Sequence, residues 1–335
     1  GGVVNPAGTE VAAAIAFWVC SLVLVSRAPE RVEKVLVTGA GVAGIVLALS
    51  RPLGPAWVVL VALAVLAVTS RAARANLARS GRVRLWAALV AIAGVVQVIW
   101  DAAVRPREAS LVGRTAASLS TVSQIEDSFG ATYDRYREMI GWFGWHQTPA
   151  PALSWVPWTA AVGFVFLAAL AWVARRHALV LLALLAAVIV IPVVVDVTPY
   201  ETGGASWPGS AVLPLAVGIP ILAAFSLAAT ERGRELLASR FVPAVGVLVA
   251  VGQFVAFADD LRRYTVGGTR DLLYFLHPQW QPPLPPFLLT FGYAALVVVF
   301  VAWLLGWRGT SGSAPAVADP SSSTTALPAA RAARL

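Results

Sequence analysis

The chain has 335 residues, of which 59% are hydrophobic and only 13% charged. A water-soluble domain cannot hide that much apolar surface, so the composition excludes a soluble enzyme and indicates a polytopic membrane protein. The net charge of +8 does not indicate nucleic acid, because the arginines fall in short breaks between apolar runs, as topology signals facing anionic headgroups do.

A helix needs about 20 apolar residues to cross the hydrocarbon core. Nine segments approach that length: 9–26, 35–50, 55–69, 85–104, 155–174, 178–196, 211–229, 241–258 and 287–306. The expected fold class is therefore all-α, a polytopic bundle of about nine transmembrane helices over residues 1–306. The second and third segments are short, and "SRPLGP" (50–55) separates them so tightly that they read as a helical hairpin or a partly re-entrant pair. "GAGVAG" (39–44) imitates a dinucleotide loop but lies inside a span, where small residues serve close helix packing.

Orientation follows from the basic residues. With the N-terminus outside, the inner breaks 27–34, 70–84, 175–177 and 230–240 and the tail from 307 hold 16 of the 25 Lys and Arg. They carry five acids; the outer segments and span edges carry twelve. The positive-inside rule then predicts an N-out, C-in topology. Residues 307–335 are small, polar and proline-interrupted, so they read as a disordered cytoplasmic tail. The chain opens at Gly1 and its only methionine is Met139, which suggests that the natural N-terminus lies upstream. Cys20 has no intrachain partner and says nothing about redox compartment.

Three outer loops remain: 105–154, 197–210 and 259–286. In the first, Val122, Ile125, Phe129, Tyr133, Tyr136 and Ile140 recur at the helical period, which predicts an amphipathic helix over 118–140 lying along the outer membrane surface. "GWFGWHQTPAP" (141–151) follows. Its Trp142 and Trp145 suit an interfacial belt, or a platform that stacks on sugar faces or prenyl chains, with His146 and Gln147 offering hydrogen bonds. In "DVTPYETGGASWPGS" (196–210), Asp196 ends a span, where an ionisable group is costly unless paired or functional, and Glu201 follows in the loop. In the third loop, Arg262 and Arg263 are able to hold a phosphate or to pair with Asp259 and Asp260, and Trp280 adds another ring. No hydrolase, metalloprotease or P-loop motif is present, no Cys/His set has metal spacing, and no cofactor is expected.

"VNPAGTEVAAAIAFW" (4–18), "LSRPLGP" (49–55), "GWFGWHQTPAP" (141–151), "WPGSAVLPL" (207–215) and "RRYTVGG" with "WQPPLP" (262–285) together resemble one family, in order. It is domain of unknown function 2142, an actinobacteria-rich family of predicted membrane proteins grouped with type-C glycosyltransferases. The resemblance spans nearly all of 1–306 and implies an N-terminal span and a large outer loop ahead of Gly1. It further implies a cell-membrane enzyme that uses a polyprenyl-phosphate sugar donor on the outer face and an envelope glycan acceptor. Asp196 or Glu201 would take the acceptor proton, and Trp142, Trp145, His146, Gln147, Arg262, Arg263 and Trp280 would bind substrate. His146 and Gln147 stand where the family has Leu-Asp, and Gly209 to Ala211 precede "VLP" where it has Gly-Arg-Tyr. The alternatives to an enzyme are an envelope lipid transporter or flippase, or a non-catalytic scaffold. Bound membrane lipid is expected in each case; nucleic acid is not.

Overall fold

The computed structural model describes residues 6–28, 30–109, 121–143, 148–197, 207–267 and 273–306, and among these the protein is helical almost throughout. Lipid offers the backbone no hydrogen bonds, so runs of Ala, Leu and Val must satisfy their N–H and C=O groups internally, and they do so as helices. The order is α1 (Pro6–Arg27), α2 (Lys34–Ser50), α3 (Gly54–Val68), α4 (Arg71–Arg79), α5 (Gly81–Ala109), α6 (Thr121–Gly130), α7 (Thr132–Ile140), α8 (Ala152–Trp172) and α9 (Arg175–Val197). A 3-10 turn (Gly209–Val212) then leads into α10 (Leu213–Ala216), α11 (Gly218–Ala228), α12 (Glu231–Ala238), α13 (Phe241–Val266) and α14 (Pro286–Gly306).

All nine expected apolar segments are helical, and seven are long and apolar enough to cross a membrane. The 3-10 turn, α10 and α11 together make one of the seven. The other two, α2 and α3, have 17 and 15 residues. They form the tight hairpin expected around Pro52 and Pro55.

The chain ends of these helices alternate, so one end of the bundle collects α4, α12 and the arginine-rich breaks. There the arginines also cap helices. Arg176 Nη2 donates to Thr69 O at 2.9 Å, beyond the last turn of α3, and Asn76 Nδ2 donates to Ala28 O at 3.0 Å, just past α1. Both satisfy carbonyls that a helix C-terminus leaves open. Ser70 and Thr230 cap the N-termini of α4 and α12 through their hydroxyls.

The main core is built around α1. Trp18 is fully buried and donates from Nε1 to Pro214 O at 3.1 Å. Its ring lies so close to Gly218 that a Cβ there would meet Trp18 Cζ2 at 2.2 Å. A second, smaller cluster of Leu261, Val266 and Tyr274 forms where α13 meets α14.

Two expectations need correction. The amphipathic helix is not continuous: it breaks at Ala131 into α6 and α7, while 118–120 lie outside the described residues. Glycine at 130 weakens helix continuation there. Further, α13 runs on to Val266, so Asp259, Asp260, Arg262 and Arg263 are helical instead of looped. The i,i+3 pair Arg262–Asp259 at 2.8 Å supports that extension.

Overpacking at a close helix contact costs about 1–3 kcal/mol. Gly218→Ala is therefore expected to lower the unfolding temperature of the detergent-solubilised protein. Gly163→Ala, whose Cβ would meet nothing within 4 Å, serves as the control and is expected to leave the temperature unchanged or slightly raised. Equal behaviour of the two variants would contradict the packing described around Trp18.

Candidate functional site

At the end of the bundle opposite the arginine-rich breaks, α9 delivers Asp196 in its last turn, beside α6 and α7. Arg135 of α7 is only 3% exposed, and a buried guanidinium is tolerated only if its donors are used. They are. Nε donates to Trp207 O at 3.1 Å, Nη1 to Ser128 O at 2.6 Å, and Nη2 to Ser128 Oγ at 2.9 Å and to Asp196 Oδ2. Asp196 is equally committed: Oδ2 also accepts from Ser128 Oγ at 2.6 Å, and Oδ1 accepts from the Trp207 N–H at 2.8 Å. Two stretches distant in sequence, 128–135 and 196–207, thus meet in one closed knot.

The knot fastens a lid of helix over the bundle end. Trp207 stacks on Trp57 of α3, with ring centroids 6.0 Å apart. Gly209 backs so tightly onto α7 that a Cβ would meet Arg135 O at 2.0 Å. On the other side, Tyr133 meets Trp155 edge-on at 6.1 Å, and the Tyr136 hydroxyl bonds to Thr159 Oγ1. Burial keeps the Tyr136 phenol protonated above its usual range. Ser128 and Arg135 are turned inward, whereas Val122, Ile125, Phe129 and Tyr133 are exposed, beside the exposed acids Glu126, Asp127 and Asp134.

After α7, Trp142–Phe143 pairs antiparallel with Thr148–Pro149, a two-residue ladder that the sequence did not announce. It holds the base of the Trp-rich loop against α7, where Arg137 lies over the Tyr133 and Trp142 rings at 5.7 and 5.8 Å.

A second polar pair occupies the same end of the bundle. Glu10 of α1 is wholly buried, and Arg51, in the turn between α2 and α3, places Nε 3.2 Å from Glu10 Oε2. The approach is off the line of a hydrogen bond, and neither carboxylate oxygen has a hydrogen-bond partner among the described residues. Sequence reasoning passed over this pair. The available signal was isolation: Glu10 is the only charged residue between Pro6 and Val25, and Arg51 the only one between Val35 and Ser70.

A family model described as DUF2142, predicted membrane protein, matches residues 1–209. The chain belongs to the DUF2142 family. No curated protein and no solved structure matches it. The DUF2142 match takes in α1 to α9, Arg51, the Arg135–Asp196 knot and the Trp-rich loop, and ends at Gly209. The "WPGSAVLPL" motif straddles that edge, and the 262–285 motifs lie beyond it.

Within this DUF2142 chain the sequence-predicted residues separate. Asp196 is in the knot and Trp142 lies under Arg137. Arg262 donates from Nε and Nη2 to Asp259 Oδ1 at 3.2 and 2.8 Å, and Arg263 is also engaged. Trp280 is more than half exposed. Trp145, His146, Gln147 and Glu201 lie outside the described residues. Trp207 of the knot packs in the main core, whereas Arg262 follows Leu261 of the smaller cluster. Asp196 pairs with Arg135 and Arg262 with Asp259, each within its own group of elements. Among the described residues, no group of three is placed to hold a metal ion.

Ser128 both donates to Asp196 and accepts from Arg135, so Ser128→Ala removes two bonds from a buried network. A cost of about 1–3 kcal/mol is expected. Amide exchange should accelerate across 121–140 while α1 and α2 stay protected; unchanged protection over 121–140 would count against the knot as the fastening of α6 and α7.

Proposed function

We propose that this protein crosses the cell membrane with about nine helices, N-out and C-in, and leaves 307–335 in the cytoplasm. On its outer face it handles a sugar carried on polyprenyl phosphate, as a glycosyltransferase of envelope polysaccharide or glycolipid assembly. The observation that carries this reading is the Arg135–Asp196 knot. It holds the helix pair α6–α7 and the base of a Trp-rich loop over one end of the bundle, the end that in this reading meets the outer headgroups.

Roles follow from which groups are already committed. Asp196 uses both carboxylate oxygens in the knot, so it is a positioning residue in this reading. Glu201, five residues on in the loop that follows α9, is the base that accepts the proton of the acceptor hydroxyl. Trp142, Trp145, His146 and Gln147 form the sugar-stacking wall, Arg262 or Arg263 holds the leaving phosphate of the donor, and Trp280 adds another ring. A non-catalytic scaffold is the second reading, favoured by the pairing of Arg262 with Asp259.

Two measurements test the proposal. In a Cys20→Ser background, a cysteine replacing Glu126 should react with a membrane-impermeant thiol reagent in intact cells, and one replacing Arg74 should not; the reverse pattern overturns the orientation. With a polyprenyl-phosphate-linked sugar and membranes containing the full-length protein, Glu201→Gln should reduce transfer by roughly 10²–10⁴-fold, the usual contribution of a general base. Transfer undiminished in Glu201→Gln would remove that residue's role, and none in wild type would favour the scaffold.

A further inference from the structure

At the end of the bundle opposite the arginine-rich breaks, most described arginines are already spoken for. Arg135 spends its donors on Asp196, Ser128 and the Trp207 carbonyl, and Arg262 spends two on Asp259. Arg51 sits against Glu10, and Arg263 is engaged as well. Arg137, two residues after Arg135 on α7, differs. Among the described residues no acid and no carbonyl pairs with it, and its Nε is buried without an acceptor. The residue nevertheless stays partly exposed.

What holds Arg137 is aromatic. Its Cζ lies over the Tyr133 ring at 5.7 Å and over the Trp142 ring at 5.8 Å. Trp155 of α8 meets Tyr133 edge-on at 6.1 Å, so three rings from three elements gather round one cation. Ring contacts fix where a guanidinium sits without neutralising its charge. The planar fork then remains for an oxyanion, and a carboxylate matches it. Rings beside that fork suit a sugar, since Tyr and Trp present an apolar face together with a polar edge.

The surrounding charge narrows the anion further. Residues 121–143 carry four acids, Glu126, Asp127, Asp134 and Glu138, against two bases, Arg135 and Arg137. Glu126, Asp127 and Asp134 are exposed, and Arg135 is consumed by Asp196. A surface of this sign repels a sheet of anionic headgroups or a doubly charged group, and it tolerates a single charge placed directly on Arg137.

We infer that Arg137, Tyr133 and Trp142 form a subsite for an acidic sugar, with the carboxylate on the guanidinium and the sugar ring against the aromatic side chains. This rests on the reading that the protein works on an envelope glycan, and it names the chemistry of the acceptor: a glycan that carries uronic acid. The subsite lies where the chain enters the Trp-rich loop, because Trp142 belongs to the two-residue ladder at the base of that loop.

The test measures binding to the full-length protein in detergent micelles with three soluble probes. They are tetragalacturonate, the same tetramer with its carboxylates reduced to alcohols, and glycerophosphoglycerol, the singly charged headgroup of an anionic phospholipid. The acidic tetramer should bind about tenfold more tightly than the neutral one, the scale of a charge-assisted contact. Because no hydrogen bond or ion pair among the described residues depends on Arg137, Arg137→Gln should fold normally, erase that preference and leave the neutral tetramer unchanged. Arg137→Lys keeps the charge but not the fork, and should retain only part of the preference. Equal affinity of the wild type for the two tetramers overturns the subsite, as does a preference that survives in folded Arg137→Gln. Glycerophosphoglycerol binding more tightly than tetragalacturonate also overturns it, and assigns the arginine to a lipid headgroup. An acid preference that follows Arg137 in a protein without transferase activity would support the subsite and count against the enzyme reading alone.

Discussion

A charged side chain taken out of water must bring its partners with it. At the edge of a membrane bundle that requirement shapes this protein more than any other. Arg135 is buried, so it needs an anion and several acceptors; Asp196, at the end of α9, supplies the first, and Ser128 and Trp207 complete the set. Because these groups come from two stretches distant in sequence, satisfying one guanidinium fixes the position of α6, α7 and the 3-10 turn at once. Removing one member of a buried pair typically costs about 3–5 kcal/mol, since the other is left charged and unpaired. Val122, Ile125, Phe129 and Tyr133 are left on the exposed side of α6 and α7, opposite the buried Ser128 and Arg135.

The two ends of the bundle solve different problems with the same residue. At one end Arg176 and Asn76 satisfy open carbonyls of neighbouring helices, while other arginines lie on the short helices α4 and α12. At the other end Arg135 and Arg51 are held by acids, one in a complete network and the other with part of its guanidinium available. The same contrast separates Asp196 from Glu10: the first carboxylate is saturated with hydrogen bonds, and the second has none among the described residues.

Much of the fold was legible because lipid leaves the backbone few choices. Every apolar segment read from the sequence is a helix, and the shortness of α2 and α3 was visible in residue counts. The family was legible from collinear motifs, although the matched model stops at Gly209. What was not legible depended on which long-range partner a polar group finds. Asp196 read as a candidate base, yet nothing local says that Arg135, 61 residues earlier, would reach it. Arg262 and Arg263 read as loop cations, whereas helical continuation through Val266 turned one of them back onto Asp259. Glu10 and Arg51 lay inside quoted motifs without drawing notice, because each is a single charge and only folding brings them together. The apolar groove between α1, α2, α3 and α5 is a property of four helices and leaves no trace in any one of them.

The central claim is that Arg135 and Asp196 act as one unit that positions the helix pair over the bundle end. A double-mutant cycle with Arg135→Met, Asp196→Leu and the pair, read as unfolding free energy in bilayer-like micelles, tests it most directly. Both single variants should be strongly destabilised, and the double variant should recover part of the loss, with a coupling of about 1–3 kcal/mol. Additivity of the two substitutions within about 0.5 kcal/mol would contradict the account, because residues that do not share a network add in that way.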